Sequence, residues 1–450
     1  MITSATEALR RLHTGELTST ELVATLLERI AEINPTVNAI RDVLADEALT
    51  AAEHADRRLR ANAPLGPLDG LPITVKDNID VAGSATTQGV AAFGKDLSTV
   101  DAPVIANLRA AGAIPIARTN MPDFALRWHT DSGIAGPTLN PWDPTLTPGG
   151  SSGGEAVSLA TGMSLLGVGN DLGGSLRWPA QCAGIAALRP TLGRIPQAQS
   201  LDPATKPISL QLVEVQGPMA RRIADLRLAF ATMIAPDPRD PWHVPVPATH
   251  LPSTTRRMHV LRGDYPPPVH VALNRAARAL LDAGFDGHDA PPPAIDEAAD
   301  GWARLTNADS RRAWPDCAPF ASEGARAFMA AMFDLVPPAD ADGYANLFTA
   351  RARIARAWSQ YQRDSPLIIA PIYAGEPFRA GEDIGRAADI VHNLTATVAV
   401  NFLGLPAVAV PVGLVDGLPQ AVQVIGPRFG EELCLRAAEL IEAPTGLPSQ

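Results

Sequence analysis

The chain has 450 residues, a hydrophobic fraction of 46% and a formal net charge of −11. That length and apolar content exclude a disordered chain and a small disulfide scaffold, and provide for a large core. The acidic balance, with no basic run or aromatic-plus-basic stripe, excludes nucleic acid as an expected partner. No stretch is long and apolar enough to span a bilayer, so no membrane partner is expected either. The three cysteines, Cys182, Cys317 and Cys434, have no Cys-x-x-Cys spacing and read as core fillers of a cytoplasmic protein.

In chain order, residues 1–61 read as helices. Ser4…Glu7 and Thr18…Glu21 have the spacing of capping boxes, and an Ala-rich helix is expected over 43–61. The apolar run LPITVKDN (71–78) reads as a buried strand carrying Lys76 at its end. A helix over 103–111 and a strand over 113–118 follow; helix and apolar strand in alternation indicate a sheet covered by helices. From about 202 to 385 proline becomes dense and Ala/Arg-rich helices alternate with polar loops, with Trp302, Trp314, Phe328, Met329, Met332, Phe333 and Trp358 interspersed. Strand-like 365–373, a helix ending near Phe402, strands over 407–412 and 421–425 and a closing helix over 431–441 complete the chain.

The stretch 148–179, PGGSSGGEAVSLATGMSLLGVGNDLGGSLRWP, organises the rest. It joins two glycine–serine clusters (149–154 and 173–175) through a helix-like run (155–161) and a strand-like run (163–168). Glycines beside a hydroxyl mean either a turn or a close approach to the backbone. Phosphate binding fits poorly, because Glu155 stands where a P-loop places Lys. A nucleophile elbow fits around Ser151 or Ser152, with His392 as the downstream histidine. The third option is a serine activated by lysine. Lys76, Lys95 and Lys206 are the chain's three lysines, in a Lys+Arg total of 37. A buried lysine can lose its proton and act as a base, which arginine cannot. Lys76 has that setting, whereas Lys95 and Lys206 lie in turn-like contexts and read as solvated surface cations. His129 has no partner at metal-ligand spacing, and neither a metal nor a cofactor is expected.

LPITVKDNIDVAG, LNPWDPTLTPGGSSGGEAVSLATG and GVGNDLGGSLRWPAQCAGIAALRPTLGRIP together resemble the amidase signature family of Ser–cis-Ser–Lys amide hydrolases. The segment 401–442 is similar to that family's closing segment. The resemblance implies an α/β fold: one large α/β/α domain with a central mixed sheet flanked by helices and a helical substrate-side segment. Residues 1–200 and 386–450 would be the catalytic core and 201–385 a variable, mostly helical cap.

The resemblance also implies roles. Ser175 would be the nucleophile, Ser151 the bridging serine after a cis peptide, and neutral Lys76 the base. The N–H groups of Leu172, Gly173, Gly174 and Ser175 would form the oxyanion hole, with Ser152 near the lysine and Asp171 in the loop carrying the hole. Met121, Phe124 and Gly150 are the expected substrate contacts, with Trp128 beside them. Asn170 departs from the Thr or Ser common at its position, and is expected to tune the loop. The implied function is C–N hydrolysis of a small-molecule amide, with ester or carbamate as further substrates and a lean to hydrophobic or aryl groups, in a monomer or homodimer. The alternative within the family is a glutaminase-type subunit of a tRNA-dependent amidotransferase, from which residues 85–89 and Trp178 depart; a binding protein with a dead site is the remaining reading.

Overall fold

The computed structural model describes residues 2–95, 97–198 and 206–443. Its strands are β1 (Ile40–Val43), β2 (Pro72–Lys76), β3 (Ile114–Thr119), β4 (Asp131–Ser132), β5 (Gly136–Pro137), β6 (Leu166–Asp171) and β7 (Ala186–Arg189). They continue as β8 (Val215–Ala220), β9 (Arg257–Val260), β10 (Asp286–Gly287), β11 (Leu367–Pro371), β12 (Ala407–Val415) and β13 (Leu418–Ile425). Among the described residues, eleven of them form one mixed sheet in the order β1-β3-β2-β6-β8-β7-β12-β13-β11-β9-β10. Helices flank this sheet, as the α/β pattern implies.

β2, β3, β6 and β11 are buried along their whole length. A strand covered on both faces needs no polar alternation, which is why these segments read as continuous apolar runs. The helix starts are set locally: Ser4 accepts from the Glu7 N–H, and Thr18 and Glu21 form a reciprocal capping box. The helix expected over 43–61 is Ala45–Arg60, and Val43 instead closes β1, which pairs antiparallel with β3. The strand expected over 163–168 lies three residues later, because packing on both sides carries the pairing into Gly169-Asn170-Asp171. The helix before Phe402 is two helices, Ala387–Asn393 and Thr395–Leu403.

The division of the chain differs from the expectation in one respect. The boundary between residues 200 and 201 lies outside the described residues. Within 201–385, however, β8, β9, β10 and β11 are strands of the central sheet and not parts of a cap. β8, β9 and β10 are short, and β8 contains both Gly217 and Pro218, so no periodicity announces them, whereas β11 lies within the strand expected over 365–373. The helices Ile295–Cys317, Glu323–Leu335 and Ala341–Asp364 fall within this interval and carry the aromatic residues. No helix among the described residues is long and apolar enough to cross a membrane.

Two features of the topology position the site. β2 runs parallel to β6, with Val75 opposite Val168, so both strands end at the same edge of the sheet. The helix Gly153–Ala160, wholly buried, starts beside that edge. Carboxyl ends of parallel strands next to a helix start are where α/β folds place ligands.

Candidate active site

Lys76 is the last residue of β2 and is fully buried. Its Nζ lies 2.7 Å from Ser151 Oγ and 2.5 Å from Asn170 Oδ1. Burial brings the lysine down to about 7, against the opposing pull of the Glu214, Asp171 and Glu155 carboxylates. Neutral Nζ has a lone pair for the Ser151 hydroxyl proton and still donates an N–H to Asn170. Beneath it, burial pushes Glu155 up to about 7, although the hydroxyls of Thr74 and Thr119 donate to its carboxylate.

The peptide bond between Gly150 and Ser151 is cis. Ser151 and Ser175 both face a cavity of about 1190 Å³, whereas Lys76 does not reach its surface. Ser151 and Asn170 thus stand between the cavity and the lysine. Ser152 directs its hydrogen bonds to the neighbouring backbone: its N–H donates to the Ser175 carbonyl (3.2 Å) and its hydroxyl to the Asn170 carbonyl (3.4 Å).

The segment 171–177 folds around the Asp171 carboxylate, which accepts from the N–H groups of Gly174 (2.8 Å) and Leu176 (3.3 Å), the Arg177 guanidinium (3.0 Å) and the Asn401 amide (2.8 Å). Burial alone would raise Asp171, but Arg177 and Arg189 hold it well below the usual carboxylate range. Arg177 also donates to Gln423 and Asn401, tying this loop to the C-terminal segment. Gly174 has φ +94°, and a Cβ there would sit 2.6 Å from Thr397 Cγ2. Because the Gly174 N–H is held by Asp171, its expected place in an oxyanion hole is corrected: it braces the loop. The Gly173 N–H belongs to a peptide whose carbonyl is held on its other side, and the Ser175 N–H follows a Gly174 carbonyl held by the Trp178 N–H (2.7 Å).

Asn170 does more than tune the loop. Its Oδ1 accepts from Lys76 and its Nδ2 donates to Glu214 Oε1 (3.1 Å), while Glu214 is ion-paired to Lys206 (3.2 Å). Lys206, expected as a solvated cation, is thus half-buried at the cavity wall. Sequence reasoning missed this chain of contacts because Lys76 and Asn170 are 94 residues apart, and Asn170 and Glu214 a further 44. The departure at Asn170 was the one available signal. Lys95 is exposed, as expected.

Of the expected substrate contacts, Phe124 lines the cavity and Trp128 joins it. Met121 does not: it is fully buried, its carbonyl packed against Gly89. Gly150 is also off the cavity wall; a Cβ there would meet the backbone of Arg127 and Trp128 within 2.5–2.7 Å, so the glycine serves close packing. His392 lies in the last turn of the helix Ala387–Asn393 and does not face the cavity, so the elbow reading lacks its downstream histidine there. The rest of the wall is mixed: Trp302, Trp314, Phe328, Met329 and Met332 stand beside Asp309, Arg312, Asp316 and Asp340.

The protein is an amide hydrolase with an α/β fold. It belongs to the amidase family, whose model, described as Amidase, matches residues 21–435. The chain is 37% identical over 471 residues to the indoleacetamide hydrolase of Bradyrhizobium diazoefficiens (strain JCM 10833 / BCRC 13528 / IAM 13628 / NBRC 14792 / USDA 110), covering 99% of this chain and 87% of that one. It is 31% identical to a glutamyl-tRNA(Gln) amidotransferase subunit of Chloroflexus aurantiacus (strain ATCC 29366 / DSM 635 / J-10-fl), covering 98% of this chain and 96% of that one. Among solved structures, a fatty acid amide hydrolase superposes with a TM-score of 0.87 at 24% identity, covering 97% of this chain and 84% of that one.

Proposed function

We propose that this amidase hydrolyses hydrophobic aryl or indolyl amides through an acyl-enzyme on Ser175. Ser175 Oγ attacks the carbonyl carbon, its proton passes to Ser151 Oγ, and the Ser151 proton passes to Lys76 Nζ. The N–H groups of Gly173 and Ser175 receive the developing oxyanion. Collapse breaks the C–N bond, and the leaving nitrogen takes the proton back from Lys76 through Ser151. Water then attacks the acyl-enzyme by the same relay and releases the acid, restoring Ser175.

The observation that carries the substrate class is the cavity: its floor holds Ser151 and Ser175, and the part of its wall made by Trp128, Trp302, Phe328, Met329 and Met332 is aromatic and thioether-rich. Tryptophan faces and methionine sulfurs suit a flat aromatic group better than a charged amino acid. The 37% identity to an indoleacetamide hydrolase supports an indolyl or arylacetamide substrate. A glutaminase-type role has less support, since that relative is 31% identical, against 37% for the indoleacetamide hydrolase. The three cysteines, all free, fit a reducing cytoplasm.

The test is a comparison of kcat/KM across indole-3-acetamide, an acetanilide, acetamide and glutamine, with Ser175→Ala run beside each. Preference for the aromatic amides, lost in Ser175→Ala, is the expected result. A preference for glutamine or acetamide would overturn the substrate class.

A further inference from the structure

Three consecutive carbonyls of the 171–177 loop are held by groups supplied by three tryptophans. Trp302 Nε1 donates to the Leu172 carbonyl (2.8 Å), Trp128 Nε1 to the Gly173 carbonyl (2.9 Å), and the Trp178 backbone N–H to the Gly174 carbonyl (2.7 Å). In a trans peptide the N–H points away from its carbonyl, so each of these bonds orients the next residue's N–H. Trp302 thereby directs the Gly173 N–H, and Trp128 directs the Gly174 N–H to Asp171.

The two indoles are themselves fixed. Trp178 Nε1 donates to the Trp128 carbonyl (3.1 Å), Trp128 and Trp302 pack with ring centroids 6.1 Å apart, and Phe328 meets Trp128 edge-on at 5.8 Å. Trp302 lies so close to the loop that a Cβ on Gly173 would sit 2.5 Å from its Cζ2. Trp128 and Trp302 are both almost fully buried, yet both line the cavity that holds Ser175. The same rings therefore touch the space a substrate would fill and the backbone behind the reacting carbonyl.

We infer that Trp302, with Trp128, is a positioning residue. Its indole N–H sets the orientation of the Gly173 peptide, so the aromatic wall of the cavity governs stabilisation of the transition state as well as substrate fit. This rests on the proposed serine mechanism. Trp302 comes from the helix Ile295–Cys317, far in sequence from the motif whose geometry it sets.

Two variants separate the N–H from the ring. Trp302→Phe removes the donor and part of the ring, and β-(3-benzothienyl)alanine introduced at position 302 replaces only the N–H by sulfur. Both are to be checked for an unchanged melting temperature. For each, kcat and KM on an aryl amide, the affinity of a tetrahedral analogue (an arylalkyl boronic acid) and the affinity of the carboxylate product are measured. The expected result is a loss of roughly 10- to 100-fold in kcat with little change in KM, smaller than outright loss of an oxyanion donor. Boronate affinity falls in parallel, and product affinity holds. Boronate affinity and kcat within about twofold of wild type in the benzothienyl variant would overturn the inference, as would equal losses of boronate and product affinity.

A fluorophosphonate probe keeps this result apart from the fate of the proposed substrate. Wild-type protein that hydrolyses no aryl amide but is labelled at Ser175 refutes the substrate class alone, and slower labelling of the variants then supports the positioning role. Equal labelling rates in wild type and variants overturn that role by itself. No labelling of wild type refutes the serine mechanism and this inference with it.

Discussion

The floor and the wall of the cavity are built by different means. The floor is polar: Lys76, Ser151, Asn170 and Asp171 are fully or almost fully buried, and each is held by directed bonds. The wall is a set of long helices that present Trp302, Trp314, Phe328 and Met332 by packing, with few directed bonds to the reacting atoms. A buried polar network fails when one partner is lost, because the remaining groups stay desolvated. The apolar part of the wall loses area by degrees. Trp302 is where the two meet.

That contrast can be broken or sharpened by mutation, beginning on the floor. Ser175→Ala should abolish turnover, and Lys76→Ala should reduce acylation at neutral pH by about 10⁴-fold or more, as measured by burst kinetics; losses of this order accompany removal of a nucleophile or its base. A Lys76→Ala protein acylating near the wild-type rate would refute the relay.

Asp171→Asn leaves Arg177 and Arg189 buried beside a neutral amide, and should cost about 3–5 kcal/mol of stability by denaturant unfolding. A change below about 1 kcal/mol would mean the loop holds without that charge. On the wall, Met329→Ala or Met332→Ala should reduce kcat/KM for an indolyl amide by about 1–3 kcal/mol, roughly 10- to 200-fold, and leave acetamide almost unaffected. Equal losses on both substrates would place these residues in the scaffold and not in substrate choice.

The smallest effect concerns pH. With Lys76 near 7 and required neutral, kcat/KM should fall about tenfold per pH unit on the acid side of 7. The Glu214 carboxylate favours the protonated lysine, so Glu214→Gln should move that limb to lower pH and Asn170→Asp to higher pH, each by up to about one unit. A limb that stays in place in both variants would show that another group controls it.

The residues of the floor were legible because each carries a local signature in its own segment. Glycines that a Cβ would block, a lysine ending an apolar strand and two Gly-flanked serines are features one segment can display. So too were the helix caps and the closing helix, Glu431–Ile441. The strands β8 to β10 were not, since a run of two to six residues bearing Gly, Pro or charge has no period to read, and pairing partners alone make it a strand.

The amino-acid sequence by itself determined the family, the alternating sheet-and-helix class and the residues on which the proposed chemistry rests. Tertiary structure decided which side chains surround them: Asn170 and Glu214 beside Lys76, Lys206 at the cavity wall, Met121 and Gly150 away from it, and Trp302 on the Leu172 carbonyl. The physical reason is range. Caps, turns and steric limits act within a few residues, whereas burial, electrostatic shifts and cavity shape arise only when distant segments are packed together, as with Trp302 and Leu172, 130 positions apart.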